Sequence, residues 1–430
     1  RFPFFPLFQS ECPPRPPSGA QGANPLMKSR FSRLAATALV ALSVSAIGLA
    51  LAQSPQPQPA PAPAMPEVAT PPPPSITGTA WVLMDYETGQ ILAGENYDER
   101  LEPASITKVM TSYVIASELA AGRISEDDQV MMTENAWRKG GAGTGGSFSG
   151  FEVNQTARLL DMEIGMAVQS GNDASIALAE HVAGTEEAFA ALMNAHAQRL
   201  GMSGSHFVNS HGLSEENHYS TARDLAVLGR AIIGEYPDIY AHNKIREFTV
   251  GPITQRNRNV LLWRDDSVDG IKTGHHSAAG YCLMASAQRG DQRLISVVLG
   301  STSENQRAND SMALLNWGFR FFETHRLYDA GEALTTQKLW KGRANELRLG
   351  LSEPLLVSTA RGKYDQLQPS MDVPQTLVAP IEEGQVIGTV RVVLDDEVVA
   401  ERELVALDAV ERAGFFKRLW HEFLMWWRSD

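Results

Sequence analysis

Two groups of strand-like sequence sit at opposite ends of a long helical stretch, and that separation limits the folds open to this chain. Trp81 to Tyr86 and Gln90 to Gly94 read as strands with Thr88–Gly89 as the turn between them. The next comparable runs, "GYCLMASAQR" and "QRLISVVLG", come only after residue 279 and are divided by a Gly290–Asp291 turn. Between the two groups the pattern is helical: Ser105 to about Ala121, stopped by Gly122, and then about 156–168, 173–183, 185–200 and 221–234. A further helix is expected over about 305–325. Strands at both ends with helices between them predict one mixed sheet flanked by a mostly helical cluster.

The character changes after Gln337. "NELRLGLSEPLLVS", "QTLVAP" and "GQVIGTVRVVLDDEVVAERELVA" read as short strands with turns at Glu383–Gly384 and Asp395–Asp396. The organisation expected is a first domain over 77–335, a small all-β domain over 338–406 and a terminal helix over 408–430. That helix, in "GFFKRLWHEFLMWWRSD", sets Phe415, Phe416, Leu419, Trp420, Phe423, Leu424, Trp426 and Trp427 on a broad face, with Lys417, Arg418, His421, Glu422 and Arg428 mostly opposite. An aromatic face backed by a cationic one suits a membrane interface, and the segment is too short and too charged to span. Docking on the β domain is the alternative.

Met27 opens a positive segment (Lys28, Arg30, Arg33), an apolar run to Leu49 and an Ala50–Leu51–Ala52 site, which together read as a signal peptide over 27–52 cleaved after Ala52. Residues 1–26 are then expected to lie upstream of the true start. Residues 53–76 form a Pro/Ala-rich linker. An exported protein with two cysteines, of which Cys12 precedes the leader, keeps only Cys282, which reads as a small buried apolar residue. The formal net charge of -13 argues against a nucleic-acid partner. No CxxC or HExxH gives metal-ligand spacing, and no metal or cofactor is expected.

Three short motifs carry the chemistry. Ser105-Ile106-Thr107-Lys108 opens the first helix. There Ser105 is either a helix cap or, with the Lys108 amine one turn away, an activated nucleophile. Ser170-Gly171-Asn172 follows 65 residues after Ser105, in a break between helices, and Lys272-Thr273-Gly274 comes 102 residues later, entering an edge-like strand. Each alone is weak, but together and in this order they are specific.

"ASITKVMT", "QSGNDAS", "HGLSEENHYSTARDLA" and "DGIKTGHHSAAGY" resemble the low-molecular-weight penicillin-binding proteins, specifically the serine D-alanyl-D-alanine carboxypeptidases, over about 77–410 and the tail. The resemblance implies an α+β fold: a β-lactamase-like transpeptidase domain with an antiparallel sheet flanked by a helical cluster, then the all-β domain and an amphipathic helix. It implies Ser105 as nucleophile, Lys108 as base, Ser170 as proton relay, Asn172 as orienter of Lys108, and backbone N–H groups of Ser105 and His275 as the oxyanion hole. Burial and Lys272 are expected to keep Lys108 neutral. Lys272, Thr273, Gly274 and Arg223 are the candidates for binding the substrate carboxylate, Arg223 alternatively being a structural ion pair. His211 and His218 read as structural, and His276 departs from the family's small polar residue. The implied partners are the peptidoglycan stem peptide, β-lactam antibiotics and the periplasmic face of the inner membrane. The rivals are a β-lactamase, against which stand Gly171 and the lack of an E-x-x-L-N segment, a D,D-endopeptidase, and a non-catalytic wall-binding protein.

Overall fold

The computed structural model describes residues 70–427. The leader, the tether as far as residue 69, Cys12 and Arg428 lie outside the described residues.

The two ends of the first domain do meet in one sheet. Strands β1 (Ala80–Asp85), β2 (Ile91–Glu95), β3 (Val268–His276), β4 (Gly280–Arg289) and β5 (Gln292–Ser301) lie in the order β2-β1-β5-β4-β3. Every pairing is antiparallel, so the mixed sheet expected from strand spacing is corrected. The reason is local. The β1–β2 and β4–β5 connections are tight turns with Gly89 and Gly290 in the left-handed region, and tight turns can join only antiparallel neighbours.

Alternation along β1 explains the layers. Val82 and Met84 point into a large core shared with helices α1 (Thr107–Ala120), α2 (Glu134–Gly140), α3 (Leu159–Gln169), α4 (Asn172–Ala183), α5 (Glu186–Arg199) and α6 (Ala222–Glu235). Trp81 and Leu83 point the other way, toward Leu314, Leu315 and Phe319 of α7 (Glu304–Phe321). Helix α7 ends earlier than its periodicity predicts. Residues Phe322–Tyr328 leave it as strand β6, because they pair with a later strand, Leu355–Ala360.

The β domain therefore starts at Phe322. Its strands are β6, β7 (Ala333–Trp340), β8 (Glu346–Gly350), β9 (Leu355–Ala360), β10 (Gln368–Asp372), β11 (Leu377–Val378), β12 (Val386–Leu394) and β13 (Glu397–Ala406). The boundary expected at 335–338 runs through the middle of β7. Six strands form one sheet in the order β10-β12-β13-β8-β7-β11, and β6 pairs with β9. The β12–β13 turn places Asp395 and Asp396 at φ 50 and 67, the two left-handed positions of a tight hairpin.

Hydroxyls and carboxylates join the two domains. Asp85, at the end of β1, accepts from the Thr88 backbone at 2.9 Å and from Thr324 of β6 at 2.6 Å. Thr88 reaches Ser358 of β9 at 3.0 Å. Helix α8 (Phe415–Trp427) packs on the β domain through its polar face: the Lys341 N–H donates to His421 Nδ1 at 2.8 Å, and Lys417 Nζ donates to the Arg343 carbonyl at 2.9 Å. Its other face is bare, with Phe416 85% and Trp427 69% exposed. Among the described residues no helix is long and apolar enough to cross a membrane.

One ionic cluster fixes the edge strand that carries Lys272. Arg293 of β5 donates to both oxygens of Asp269 in β3, at 2.8 Å each, and to Ser286 of β4 at 2.7 Å. Tyr240 adds a bond to Asp269 at 2.5 Å. Removing one partner of a mostly buried pair strands the other charge. Arg293→Met is expected to lower stability by about 3 kcal/mol in urea unfolding, and an unchanged midpoint would contradict this account of the cluster.

Candidate active site

Ser105 does not cap the first helix. It sits in a one-turn 3₁₀ segment, Ala104–Ile106, that feeds into α1, and no side chain caps either start. Ala104 is held at φ 48, a left-handed conformation that costs a non-glycine residue about 1–2 kcal/mol. Gly212 crowds the same point: a Cβ there would stand 1.9 Å from the Ala104 carbonyl oxygen. The segment is thus held from outside in a conformation it would not choose.

One turn on, Lys108 is 1% exposed. Its Nζ lies 3.1 Å from Ser105 Oγ, and it donates to Asn172 Oδ1 and to the His211 carbonyl at 2.7 Å each. A neutral amine has two N–H donors and one lone pair. The two carbonyl acceptors satisfy both donors, which leaves the lone pair for the Ser105 hydroxyl proton. Burial brings the Lys108 pKa down to about 7, with Arg258 pushing the same way and Asp173 and Glu186 opposing. Arg258 adds a second cation to the Lys272 that the sequence offered, and the repulsion between the Lys108 and Lys272 amines is mutual.

In the Ser170-Gly171-Asn172 turn the glycine is not the left-handed residue. The left-handed residue is Ser170, at φ 63 at the end of α3, while Gly171 has an ordinary φ of -59. Gly171 is there for space, since a Cβ would come within 2.8 Å of Ser149 and 2.7 Å of Asp173 Oδ1. Asn172 then opens α4 with its side chain on Lys108. Asp173, fully buried, accepts from Ser149 N at 2.8 Å and Ser149 Oγ at 2.9 Å, tying the Gly-rich loop to the start of α4; burial raises its pKa. Gly146 of that loop passes so near that a Cβ would stand 2.8 Å from Asn172 Nδ2.

Strand β3 forms the opposite wall. A Cβ on Gly274 would lie 2.8 Å from the Pro103 carbonyl and 3.1 Å from Ser105 N, so the Lys-Thr-Gly backbone runs against the backbone of Ser105. Lys272 is buried, and its pKa is pushed well down by burial first and then by the positive charge of Lys108. Ser105, Ser170, Asn172, Thr273, Gly274 and His275 all border one cleft of about 380 Å³.

Two arginines that the motifs do not contain complete the walls, Arg258 and Arg307. Arg307 of α7 donates to the Gly274 carbonyl at 3.0 Å and to Glu304 at 3.1 Å. It also sits over Tyr281, whose ring stacks on His275 at 4.1 Å. Arg307 had a signal in the sequence, an arginine on the stripe of α7 that buries Ser311, Leu314 and Leu315. Arg258, in "QRNRNVLLW", had none.

Arg223 does not join the site. Both ends of its guanidinium are bonded to Asp98, at 2.6 and 3.0 Å, and it lies over the Tyr97 ring. The carboxylate-binding expectation for Arg223 is corrected: it is an ion pair, with Asp98 and not with its neighbour Asp224. His211 and His218 are buried with pKa values lowered to about 3 and 4, mainly by burial. His218 bonds Thr107 at 2.8 Å, and His211 lies 3.3 Å from Glu186. His276 lies 3.3 Å from Glu102, outside the cleft wall. Cys282 is a buried free thiol raised to about 11 by burial.

Residues 67–303 match the family model described as D-alanyl-D-alanine carboxypeptidase, and residues 322–412 match the penicillin-binding protein 5 C-terminal domain. The chain is 44% identical over 355 residues to D-alanyl-D-alanine carboxypeptidase DacC of Escherichia coli, covering 82% of this chain and 88% of that protein. With DacF of Bacillus subtilis it shares 36% over 344 residues, covering 78% and 86%. The structure of penicillin binding protein 5 from Haemophilus influenzae superposes with a TM-score of 0.76 at 39% identity, covering 79% of this chain and 99% of that one. Sequence and fold agree, and the chain belongs to the D-alanyl-D-alanine carboxypeptidase family of serine peptidases.

Proposed function

We propose that this protein removes the terminal D-alanine from peptidoglycan stem peptides through an acyl-enzyme on Ser105, and that β-lactams acylate the same oxygen. The observation that carries the reading is the buried Lys108 amine, with both donors engaged and Ser105 Oγ at 3.1 Å.

The steps follow from that geometry. As Ser105 Oγ attacks the penultimate carbonyl carbon, its proton passes to Lys108 Nζ. The developing oxyanion is taken by the backbone N–H groups of Ser105 and His275, which fixed dipoles stabilise without reorganisation. Collapse breaks the peptide bond, and the leaving amine takes a proton by way of Ser170. Water then cleaves the ester and returns Ser105. Lys272 and Thr273, with Arg258 and Arg307 in place of Arg223, supply the positive wall for the substrate's terminal carboxylate.

A class A β-lactamase uses a glutamate to activate the deacylating water. Among the described residues bordering the cleft the carboxylate is Glu304, and Arg307 engages it. The same residues serve an endopeptidase, so substrate length distinguishes that reading. The leader-like sequence of 27–52 supports export, and the bare aromatic face of α8 supports peripheral attachment at the periplasmic face of the inner membrane.

Ser105→Ala is expected to abolish both labelled-penicillin acylation and D-alanine release from a pentapeptide, and Lys108→Ala to slow both by about 10³-fold. Penicillin turnover without D-alanine release would overturn the carboxypeptidase reading. Because Lys108 acts deprotonated and titrates near 7, acylation is expected to fall about tenfold per unit as pH drops below that value. Arg258→Gln is expected to move this limb toward higher pH and to raise the pentapeptide KM about tenfold. Deleting residues 413–430 is expected to move the protein from the membrane to the soluble fraction, and retention on the membrane would refute attachment through α8.

A further inference from the structure

We propose that the cleft between α8 and the β domain is a binding pocket for the phosphate of an anionic phospholipid; the inference deepens the membrane reading of α8 and rests on it. The pocket encloses about 420 Å³ and lies between Lys341, the β11 end at Val378 and Ala379, and the first two turns of α8. Its polar lining is Lys341, Arg412, Arg418 and Glu422.

The charges do not cancel. Glu422 is committed to Lys341, whose Nζ lies 3.0 Å from it. Arg412 and Arg418 have no acidic partner among the described residues. The Arg418 Nε is buried and has no hydrogen-bond acceptor among the described residues. A buried guanidinium N–H without an acceptor is costly unless a ligand supplies one. Two guanidinium groups, each a planar fork of donors, suit an oxyanion such as a phosphate better than a neutral group.

The pocket's surroundings decide what carries that phosphate. Leu419 lines the pocket and also belongs to the exposed apolar face made with Phe416, Trp420, Phe423 and Trp426. A ligand held by the arginines thus continues onto bare aromatic surface. A free phosphate leaves that surface uncovered. A phospholipid places its headgroup between Arg412 and Arg418 and its chains along the aromatic face. Docking α8 through His421 and Lys417 on the β domain builds this pocket, because it brings Arg418 and Arg412 to line one cleft.

The test is vesicle co-sedimentation of the purified protein with phosphatidylcholine alone or mixed with phosphatidylglycerol. Paired Arg412→Gln and Arg418→Gln substitutions are expected to weaken binding to the mixed vesicles about tenfold and to leave binding to neutral vesicles unchanged. Arg402→Gln removes an exposed cation on β13 and is expected to change neither. Labelled-penicillin acylation of each variant reports that it is folded. If the paired variant matches the wild type, or if Arg402→Gln weakens binding equally, the pocket assignment fails while attachment through α8 stands. If inorganic phosphate binds the wild type and not the paired variant in calorimetry, with vesicle binding unchanged, the pocket holds a soluble anion and the lipid assignment is overturned. Absence of wild-type binding to either vesicle removes both readings.

Discussion

A lysine amine that must lose its proton near neutrality while buried under a serine is the constraint around which the larger domain is built. Such an amine needs two hydrogen-bond acceptors that carry no charge, for a carboxylate would hold the proton in place. Asn172 and the carbonyl of His211 are those acceptors. They come from a helix start and a loop far from Lys108 in the chain, so the amine is satisfied only when the fold is complete. The strained neighbours, Ala104 and Ser170 in left-handed conformations, show the same dependence. Each is held there by packing it does not itself provide.

Around this amine the charges are balanced by position. Arg258 pushes Lys108 toward neutrality and Asp173 and Glu186 pull it back. Asp173 and Glu186 are in turn tied to the loop and to the His211 segment: Asp173 through Ser149, Glu186 through Ser210, whose Oγ it meets at 2.9 Å. The groups that set the proton affinity of Lys108 are therefore the same groups that hold the walls of the cleft. Reshaping either wall would move the working pH as well.

How much of this was legible in the sequence depended on whether a residue's role was local. The Ser-x-x-Lys spacing gives a one-turn contact on any helix, and the Gly89, Gly122, Gly290 and Gly384 turns follow from what glycine alone tolerates. The burial of Cys282 was readable from residue type and context, whereas His211 and His218 were legible only as structural residues and not as buried ones. What escaped was nonlocal. Phe322–Tyr328 continues the helical pattern of α7 and becomes a strand only because Leu355–Ala360 offers a partner. Arg223 and Arg258 are indistinguishable as letters, yet Asp98 claims the first and the cleft receives the second. Asp173 looks like a helix-start acid and is the anchor of the loop opposite.

The junction at Asp85 has a mechanical meaning. The β domain is joined to the larger domain by the chain running out of α7 and by the Asp85–Thr324 and Thr88–Ser358 bonds at the end of β1. In the sheet, β1 is separated from β3, the strand of Lys272, by β5 and β4. Tension applied at the chain's last helix thus reaches the larger domain by two routes, at β1 through these hydroxyls and along α7, whose Arg307 holds the Gly274 carbonyl. Two strands, β5 and β4, stand between the first route and Gly274, while the second ends on it. A pull on the tail that breaks the Asp85 and Thr88 bonds therefore still leaves the cleft wall linked to the β domain through α7.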